Sequence, residues 1–224
     1  MQINLNNIVK CYETASASVL DSISLEIKTG SSVAIVGPSG SGKSTLLNLI
    51  GTLDVPTSGE VLIDGMSTMS FSKKTLAFTR NRRIGFVFQT HLLLPQLTAI
   101  ENIILPALPL EKSLRNQKAE RAKELLNSVG LLNKINNYPG EMSVGECQRI
   151  AVARAMINEP ELLLADEPTG SLDHDTAENL VTLVLEMKHK YPFTLVMVTH
   201  SLELAERMDT VYELINGKIR NRAL

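Results

Sequence analysis

Short apolar runs, several of them rich in β-branched residues, recur along the chain at intervals that helices can fill. Runs of this length and composition are typical of strands buried on both faces of a parallel sheet. The runs are Ser32–Val36, Ile84–Phe88, Leu162–Ala165 and Thr194–Val198. Apolar residues at helical spacing predict helices over Asn116–Val129, about Val144–Asn158 and Asp175–Lys188. This alternation predicts an α/β fold with a mainly parallel sheet covered by helices.

Both ends of the chain show a different pattern. Residues 3–27 alternate loosely between apolar and polar positions, and with the run Val61–Ile63 they predict an N-terminal antiparallel β subdomain. Asn216-Gly217 predicts a hairpin turn between two last strands. Residues 90–156 are mostly helical in pattern and predict an inserted α-helical subdomain. Residues 1–89 and 157–224 then supply the β subdomain and the core of a single domain, 1–224.

Composition excludes some classes of function. The chain has 224 residues, 44% hydrophobic and 21% charged, with a net charge of −2 and no Trp. This balance supplies neither a basic field nor a base-stacking surface for nucleic acid. We see no secretory leader and no apolar run of about 18 residues, so we expect a soluble chain that acts at a membrane only through a partner. Cys11 and Cys147 lack metal-ligand spacing and are expected to be reduced thiols.

A glycine-rich segment joins the first buried run to a helical pattern. It reads Gly37-Pro38-Ser39-Gly40-Ser41-Gly42-Lys43-Ser44-Thr45 and matches G-x-x-x-x-G-K-[ST], the phosphate-binding P-loop. Glycines let backbone N–H groups surround a β-phosphate, Lys43 adds a positive charge, and the Ser44 hydroxyl is a ligand for Mg²⁺. The alternative, a capped Gly/Ser loop, is disfavoured by the strand before it and the helix after it. The segment therefore predicts that the chain binds a nucleoside triphosphate.

Polar residues follow the other buried runs where those strands end. Ligands of open α/β sheets bind outside the carboxyl ends of the strands, so we expect these residues to converge on one nucleotide. Asp166, after a run of apolar residues, is placed to bind Mg²⁺, and Glu167 is then the natural general base for water. Two solvated acids in a loop are the alternative. His200 is either a γ-phosphate contact or a surface histidine, and Gln89 alone is a weak signal.

Together, these motifs resemble the nucleotide-binding subunit of an ATP-binding-cassette (ABC) transporter, from about Ile3 to the C-terminus. The motifs stand in the order of that family. They are Gly37–Thr45, similar to Walker A; Gln89, similar to the Q-loop glutamine; Met142–Glu146, similar to the signature motif; Leu162–Asp166 with Glu167, similar to Walker B and the catalytic acid; Ser171–Asp173, similar to the D-loop; and His200, similar to the switch histidine. Tyr12 lies where the family usually has an aromatic residue that stacks on adenine.

The resemblance implies an ATPase with a P-loop NTPase (RecA-like) core that uses ATP and Mg²⁺. It implies catalytic roles for Glu167, His200 and Gln89, and metal binding by Ser44, Gln89 and Asp166. The residues that it assigns to the nucleotide are Tyr12, Gly37, Pro38, Ser39, Gly40, Ser41, Gly42, Lys43, Ser44, Thr45, Ser143, Gly145, Glu146 and Asp173.

The resemblance also implies the partners. Two copies pack head to tail, and each ATP is held between the Walker A motif of one copy and the signature motif of the other. The helical subdomain and the segment after Gln89 pass the closing stroke to integral-membrane permease subunits. The expected location is therefore the cytoplasmic face of the inner membrane, through these partners, with no role for nucleic acid.

One residue departs from the family pattern. The usual signature is Leu-Ser-Gly-Gly-Gln, and here Val144 replaces the first glycine while Met142 replaces the leucine. A β-branched side chain then stands where the backbone must approach the opposite γ-phosphate, which predicts slower ATP hydrolysis than a consensus signature would give. Ser143 and Glu146 still form a capping box, so the helix start is expected to be intact.

A narrower resemblance concerns the segments Gly51–Gly59, Phe86–Gln89, Leu92–Leu97, Thr98–Asn102 and Ala165–Gly170. They look like the bacterial group of lipoprotein-releasing ATPases, macrolide-type exporters and the cell-division ATPase FtsE. The first hypothesis is an ATPase that powers export or extraction by a membrane partner, and the second is a mechanotransmitting ATPase that moves no substrate. A soluble ABC-type ATPase acting on DNA or ribosomes would usually show two cassettes, a long coiled coil or a basic patch, and the sequence shows none of them. A small-molecule kinase would give no reason for Met142–Glu146, Ser171–Asp173 and His200 to occur together. The leucines of residues 92–97 predict either core packing or a partner-docking groove.

Overall fold

The computed structural model describes residues 1–12, 18–109 and 112–222, and for residues 112–116 it describes the backbone alone. The strands are β1 Ile3–Lys10, β2 Leu20–Ile27, β3 Ser32–Val36, β4 Ser58–Ile63, β5 Met66–Ser67, β6 Ile84–Val87, β7 Leu162–Asp166, β8 Thr194–Val198, β9 Thr210–Ile215 and β10 Lys218–Arg222. The α-helices are α1 Lys43–Ile50, α2 Lys73–Arg82, α3 Ala99–Ile104, α4 Lys112–Ser128, α5 Val144–Ala155, α6 His174–Lys190 and α7 Leu202–Ala205. Short 3₁₀ turns cover Thr68–Ser70, Leu105–Ala107, Leu132–Lys134 and Pro139–Glu141.

The predicted strands and helices are confirmed, with shifts only at their ends. The predicted helix at residues 144–158 ends earlier, at Ala155, and the helix predicted from Asn116 begins at Lys112. The chain divides into two compact units, Met1–Arg80 with Phe193–Leu224, and Asn81–Pro192. The predicted helical subdomain, residues 90–156, falls within the second unit, and its limits stay a prediction.

The first unit contains the predicted antiparallel β subdomain, a sheet in the order β2-β1-β4-β5. β1 pairs antiparallel with β2 and β4, so that Ile3 lies opposite both Ile27 and Ile63. These three side chains are fully buried. Alternation of buried and exposed residues along β2 is what the loose period-two pattern predicted.

The same unit contains the strands that carry the P-loop. β3 pairs parallel with β8 on one side and with β9 on the other, and all five residues of β3 are buried. β9 turns into β10 through Asn216 and Gly217, whose φ angles of 49° and 73° are those of a type I′ hairpin turn. The hairpin was predicted from this dipeptide and is confirmed.

The second unit combines a parallel strand pair with helices. β6 pairs with β7 in a register that sets Val87 opposite Ala165. The buried faces of α4, α5 and α6 include Leu125, Ile150 and Leu180. Among the helices of the described residues, none has both the length and the apolar character that a span across a membrane needs.

Candidate functional site

The P-loop leaves β3 at Gly37, where the neighbouring chain leaves no room for a side chain. A Cβ on Gly37 would lie 2.2 Å from the carbonyl oxygen of Leu214 in β9. Gly42, at the other end of the loop, has a φ of 98°, and a Cβ there would lie 2.9 Å from the carbonyl oxygen of Val19. Both glycines are therefore required by close packing as well as by the loop's own conformation.

The interior of the loop has the features that a bound triphosphate would satisfy. Lys43 is buried, and its Nζ donates hydrogen bonds to the carbonyl oxygens of Gly37 and Pro38 at 3.0 Å each. α1 begins without a side-chain cap and without an acid in its first turn, which leaves the positive end of its dipole open to an anion. The buried Oγ of Ser41 has no hydrogen-bond partner among the described residues. A cation, an uncapped helix and a buried hydroxyl in one loop fit a chain of phosphates.

A cavity of about 290 Å³ lies beside the loop. Its volume is at the low end of the range for small-ligand pockets. The lining residues are Ser18, Val19, Pro38, Ser39, Gly40, Ser41, Asn216 and Gly217. The β9–β10 hairpin therefore forms part of the wall next to the P-loop.

Tyr12, the predicted adenine contact, is held by a charged pair. Its hydroxyl donates to Oδ2 of Asp54 at 2.9 Å, and Nζ of Lys10 donates to Oδ1 of Asp54 at 2.7 Å. Nζ of Lys10 also lies 4.7 Å from the centroid of the Tyr12 ring. Burial alone would raise the pKa of Asp54, but hydrogen bonds from Lys10, the Val55 N–H and Tyr12 lower it. Asp54 therefore stays ionised between the two side chains.

His200 lies at the same sheet edge as the P-loop. β3 and β8 run parallel with Ile35 opposite Val198, so Gly37 and His200 each stand two residues beyond a paired position. The N–H of Thr199 donates to the carbonyl oxygen of Ile35 at 3.2 Å, and this continues the pairing up to the loop. The His200 side chain is exposed. The predicted contact of His200 with a phosphate stays a prediction.

In the second unit, Gln89 and Glu167 follow adjacent parallel strands. Because Val87 lies opposite Ala165, Gln89 and Glu167 follow strands that end at the same edge of the sheet. A Cβ on Gly170 would lie 2.8 Å from Nε2 of Gln89 and 3.3 Å from the carbonyl oxygen of Glu167. The side chain of Gln89 thus lies against the turn that follows Glu167. The structure brings together these two residues of the predicted catalytic set.

Glu167 has a backbone conformation that non-glycine residues rarely adopt. Its φ is 43°, immediately after Asp166 at the end of β7, and both side chains are partly exposed. Positive φ at a non-glycine residue costs roughly 1–3 kcal/mol and is concentrated at functional sites. The turn that closes after it is fixed by a 3.0 Å hydrogen bond from the Gly170 N–H to the Glu167 carbonyl oxygen. Glu167, the predicted general base, is one of eight non-glycine residues with positive φ in the described part of the chain.

The signature segment forms the predicted helix start. Ser143 caps α5: its Oγ accepts a hydrogen bond from the N–H of Glu146 at 3.2 Å, and its own N–H donates to Oε2 of Glu146 at 2.9 Å. Oε1 of Glu146 also lies 3.8 Å from Nζ of Lys134. Ser143 and Val144 are exposed, and Val144 has 51% of its surface accessible. The cap is intact, and the N-terminal end of α5 faces outward.

Asp173 has a structural role within the chain. It caps α6, and its Oδ1 accepts a hydrogen bond from the N–H of Thr176 at 3.0 Å. Hydrogen bonds from the side chain and the backbone of Thr176 lower the pKa of Asp173. The side chain is exposed, so the cap leaves it accessible from solvent. The predicted contact of Asp173 with a nucleotide stays a prediction.

Two polar residues of α5 belong to none of the motifs but contact the segment around Gln89. Gln148 is fully buried, and its Nε2 donates to the carbonyl oxygen of Phe88 at 2.7 Å, one residue before Gln89. Arg154 donates from Nη2 and Nη1 to the carbonyl oxygens of His91 and Leu92, at 2.7 Å and 2.6 Å. Gln148 lies on the buried face of the helix and Arg154 is half-buried, and burial of a polar residue on an amphipathic helix was the only signal for Gln148. Through them α5 holds the segment on both sides of Gln89.

The segment after Gln89 contains both buried and exposed leucines. Leu93 is buried, whereas Leu92 and Leu94 are 56% and 37% exposed. Asn102, fully buried, fixes the following turn by accepting from the Leu94 N–H at 2.8 Å and donating to the carbonyl oxygen of Leu97 at 2.9 Å. Core packing therefore accounts for only some of these leucines.

Comparison with known proteins identifies relatives along almost the whole chain. A family model described as "ABC transporter" matches residues 20–170. The lipoprotein-releasing system ATP-binding protein LolD 1 of Rhodopirellula baltica is 45% identical over 220 residues, which cover 97% of this chain and 96% of the relative. LolD of Syntrophus aciditrophicus is 45% identical over 219 residues and is covered to 98%.

Solved structures agree with these sequence matches. A dimeric post-hydrolysis structure of the ATP-binding cassette MJ0796, bound to ADP and Pi, superposes with a TM-score of 0.88 at 38% identity. It covers 99% of this chain and 98% of that chain. The fold class predicted from the sequence, a P-loop core with an antiparallel N-terminal sheet and additional helices, is confirmed.

Proposed function

The chain belongs to the ABC transporter family and is an ATP-hydrolysing, ATP-binding subunit, and from this premise we propose that it powers the release of lipoproteins by a membrane complex. The observation that carries the proposal is identity of 42–48% to relatives named as lipoprotein-releasing ATP-binding proteins, over 92% of the chain or more. The P-loop with its buried Lys43 supports the nucleotide part of the proposal. The FtsE-like alternative, force transmission without transport, has no comparable support.

We assign the chemistry of ATP hydrolysis to the following residues. The P-loop and Lys43 hold the phosphates, and Tyr12 receives the adenine. Ser44, Asp166 and Gln89 would hold Mg²⁺, which would neutralise negative charge on the phosphates. Glu167 orients the attacking water and accepts its proton, and its side chain is partly exposed at the end of β7, where water can reach it.

The signature motif serves a second copy of the chain. Exposure of Ser143 and Val144 at the start of α5 leaves the N-terminal end of this helix accessible to the nucleotide of a partner copy. Ser143, Gly145, Glu146 and Asp173 are the residues that we assign to this contact. The dimeric state of the MJ0796 structures supports this arrangement.

The membrane partners are integral-membrane permease subunits, which hold the chain at the cytoplasmic face of the inner membrane. Leu92 and Leu94 are exposed directly after the Q-loop and offer an apolar contact to such a partner. Arg154 fixes the backbone carbonyl of Leu92, so movement of the signature helix is transmitted to this surface.

The ATPase assignment is tested with Glu167→Gln in the complete chain. We expect loss of turnover and accumulation of an ATP-bound dimer on size exclusion, because ATP still binds but is not cleaved. Glu186→Gln, at an exposed position of α6, is the charge-matched control and should behave as wild type. A Glu167→Gln variant that stays monomeric with ATP and hydrolyses it normally would disprove the assignment.

The transport assignment needs a cellular readout. Depletion of the chain in its native cells should leave lipoproteins in the inner-membrane fraction, and Glu167→Gln should fail to restore their release. Normal lipoprotein distribution with a defect in cell division would instead favour the mechanotransmitting alternative.

A further inference from the structure

The side chains of Lys10 and Asp54, which are 44 residues apart in sequence, form a clamp on the side chain of Tyr12. Asp54 accepts the Tyr12 hydroxyl at Oδ2 and the Lys10 ammonium at Oδ1. Lys10 also donates to the carbonyl oxygen of Val55 at 2.8 Å, and its side chain is 10% exposed. Its Nζ lies 4.7 Å from the centroid of the Tyr12 ring, within the range of a cation–π contact. The ring is thus fixed at its hydroxyl and covered by a cation.

The clamp is tied to the helix that follows the P-loop. The N–H groups of Leu53 and Asp54 donate to the carbonyl oxygen of Asn48 in α1, at 2.9 Å and 3.3 Å. These hydrogen bonds attach Asp54 to α1, the helix whose N-terminus faces the predicted phosphate site. A second tie fixes the chain next to Tyr12, where the N–H of Cys11 donates to Oγ1 of Thr57 at 3.0 Å.

We propose that Lys10 and Asp54 are positioning residues that hold Tyr12 in the orientation in which its ring receives the adenine base. The proposal rests on the assignment of Tyr12 to adenine made above. Lys10 lies over one face of the ring, so only the opposite face accepts a base. Because the backbone of Asp54 is hydrogen-bonded to α1, the clamp fixes the distance between the Tyr12 ring and the P-loop before the nucleotide binds.

The exposure of the Tyr12 ring favours this role over simple surface packing. Tyr12 is 39% exposed although its hydroxyl and one face are engaged, so a large part of the ring remains available. An exposed aromatic side chain without such contacts would lose rotamer freedom when a base stacks on it, and this loss weakens binding. The clamp removes that freedom beforehand. Its contribution should therefore appear only with ligands that carry a base.

The test separates the base from the phosphates. Binding of ADP and of inorganic pyrophosphate is measured by calorimetry on the full chain, since neither is hydrolysed. Tyr12→Ala should weaken ADP binding roughly ten-fold, the scale of one base–aromatic stack, without weakening pyrophosphate. Tyr12→Phe keeps the ring and removes only the hydroxyl. If Asp54 positions the ring through that hydroxyl, this variant should weaken ADP binding several-fold. Tyr138→Phe, at another exposed tyrosine, is the matched control.

Asp54→Ala tests the other half of the clamp. It should weaken ADP binding as much as Tyr12→Phe does and leave pyrophosphate binding unchanged. In a Tyr12→Phe background it should cause little further loss of ADP binding. Lys10→Met, which keeps the stem and removes the charge, should give the same selective loss. If Asp54→Ala lowers the melting temperature, Tyr12→Phe remains the deciding variant.

The outcomes distinguish this inference from the proposal beneath it. Unchanged ADP binding in Tyr12→Ala would refute the adenine assignment of Tyr12. A loss in Tyr12→Ala with wild-type binding in Tyr12→Phe would overturn the clamp alone. Equal loss of ADP and pyrophosphate in Tyr12→Phe would also overturn it, because a general structural defect would then be the cause.

Discussion

Gly145 and Thr176 pack so closely that a Cβ on Gly145 would lie 2.6 Å from the Cγ2 methyl of Thr176. Thr176 also donates its N–H to the carboxylate of Asp173, the cap of α6. The start of the signature helix α5 is therefore held against the start of α6 by one threonine. Gly145 has an in-chain reason to be glycine that does not depend on any nucleotide.

The first prediction follows from this contact. Gly145→Ala should lower the free energy of unfolding by about 1–3 kcal/mol, the usual cost of overpacking, as measured by urea denaturation. Alanine is the better helix former by about 1 kcal/mol, so a net loss has to come from the contact. Thr176→Ser removes the methyl and keeps the hydroxyl, and it should restore most of the stability of Gly145→Ala.

Thr176→Val is the matched control for this pair, since it keeps the methyl that clashes. It should not rescue Gly145→Ala. Equal stability of the double variants Gly145→Ala/Thr176→Ser and Gly145→Ala/Thr176→Val would show that the methyl contact is not the constraint.

The second prediction concerns Val144, at the first position of α5 and largely exposed. Val144→Gly should raise ATP turnover and ATP-driven dimerisation, because it removes a β-branched side chain from the surface offered to the second copy. Val144→Ala removes the branching and keeps a Cβ, so it should give an intermediate gain. Steady-state ATPase assays at several protein concentrations measure this, and no gain in Val144→Gly would contradict it.

The third prediction is that removal of the Gln148 side chain disturbs the segment before Gln89. Gln148→Ala breaks the bond to the Phe88 carbonyl and leaves that oxygen without its buried donor, which should cost about 1–3 kcal/mol of stability. Turnover should fall as well, since Phe88 precedes Gln89. Gln117→Ala on the exposed face of α4 is the control and should change stability by less than about 0.5 kcal/mol. Wild-type stability and turnover in Gln148→Ala would contradict the prediction.

The fourth prediction is a pH dependence from His91. Burial, and then the charge of Arg154, lower the pKa of His91 below its usual 6.5. In the unfolded chain His91 takes up its proton near the usual value, while the folded chain keeps it neutral to a lower pH. Stability contributed by neutral His91 is therefore complete above pH 6.5 and is lost as the pH falls through the depressed value.

The neutral ring also has a defined partner, because Nδ1 of His91 accepts the N–H of Leu93 at 3.1 Å. Protonation of Nδ1 removes this acceptor. His91→Asn keeps a short acceptor that does not titrate, and it should flatten the dependence of unfolding free energy on pH between about 7 and 5. An unchanged slope in His91→Asn would assign the pH dependence to other groups.

Some elements could not be predicted because their stability does not come from a local pattern. α2, Lys73–Arg82, has one buried residue, Thr79, and no apolar stripe that would mark it as a helix. Gln148 and Arg154 appear in the sequence as ordinary polar residues on an amphipathic helix. Their partners are backbone carbonyls about sixty residues earlier in the chain.

The sequence alone determined the features that depend on neighbouring residues: the buried strand, glycine loop and helix around Lys43, the capping box of Ser143 and Glu146, and the hairpin at Asn216-Gly217. Backbone conformation and capping act over a few residues, so a local pattern is enough to specify them. Only the tertiary structure decided the packing of Gly145 against Thr176, the left-handed conformation of Glu167 and the clamp of Tyr12 by Asp54. Tyr12 and Asp54 are 42 residues apart, and such a pair is set by the strands and helices that bring the two side chains together.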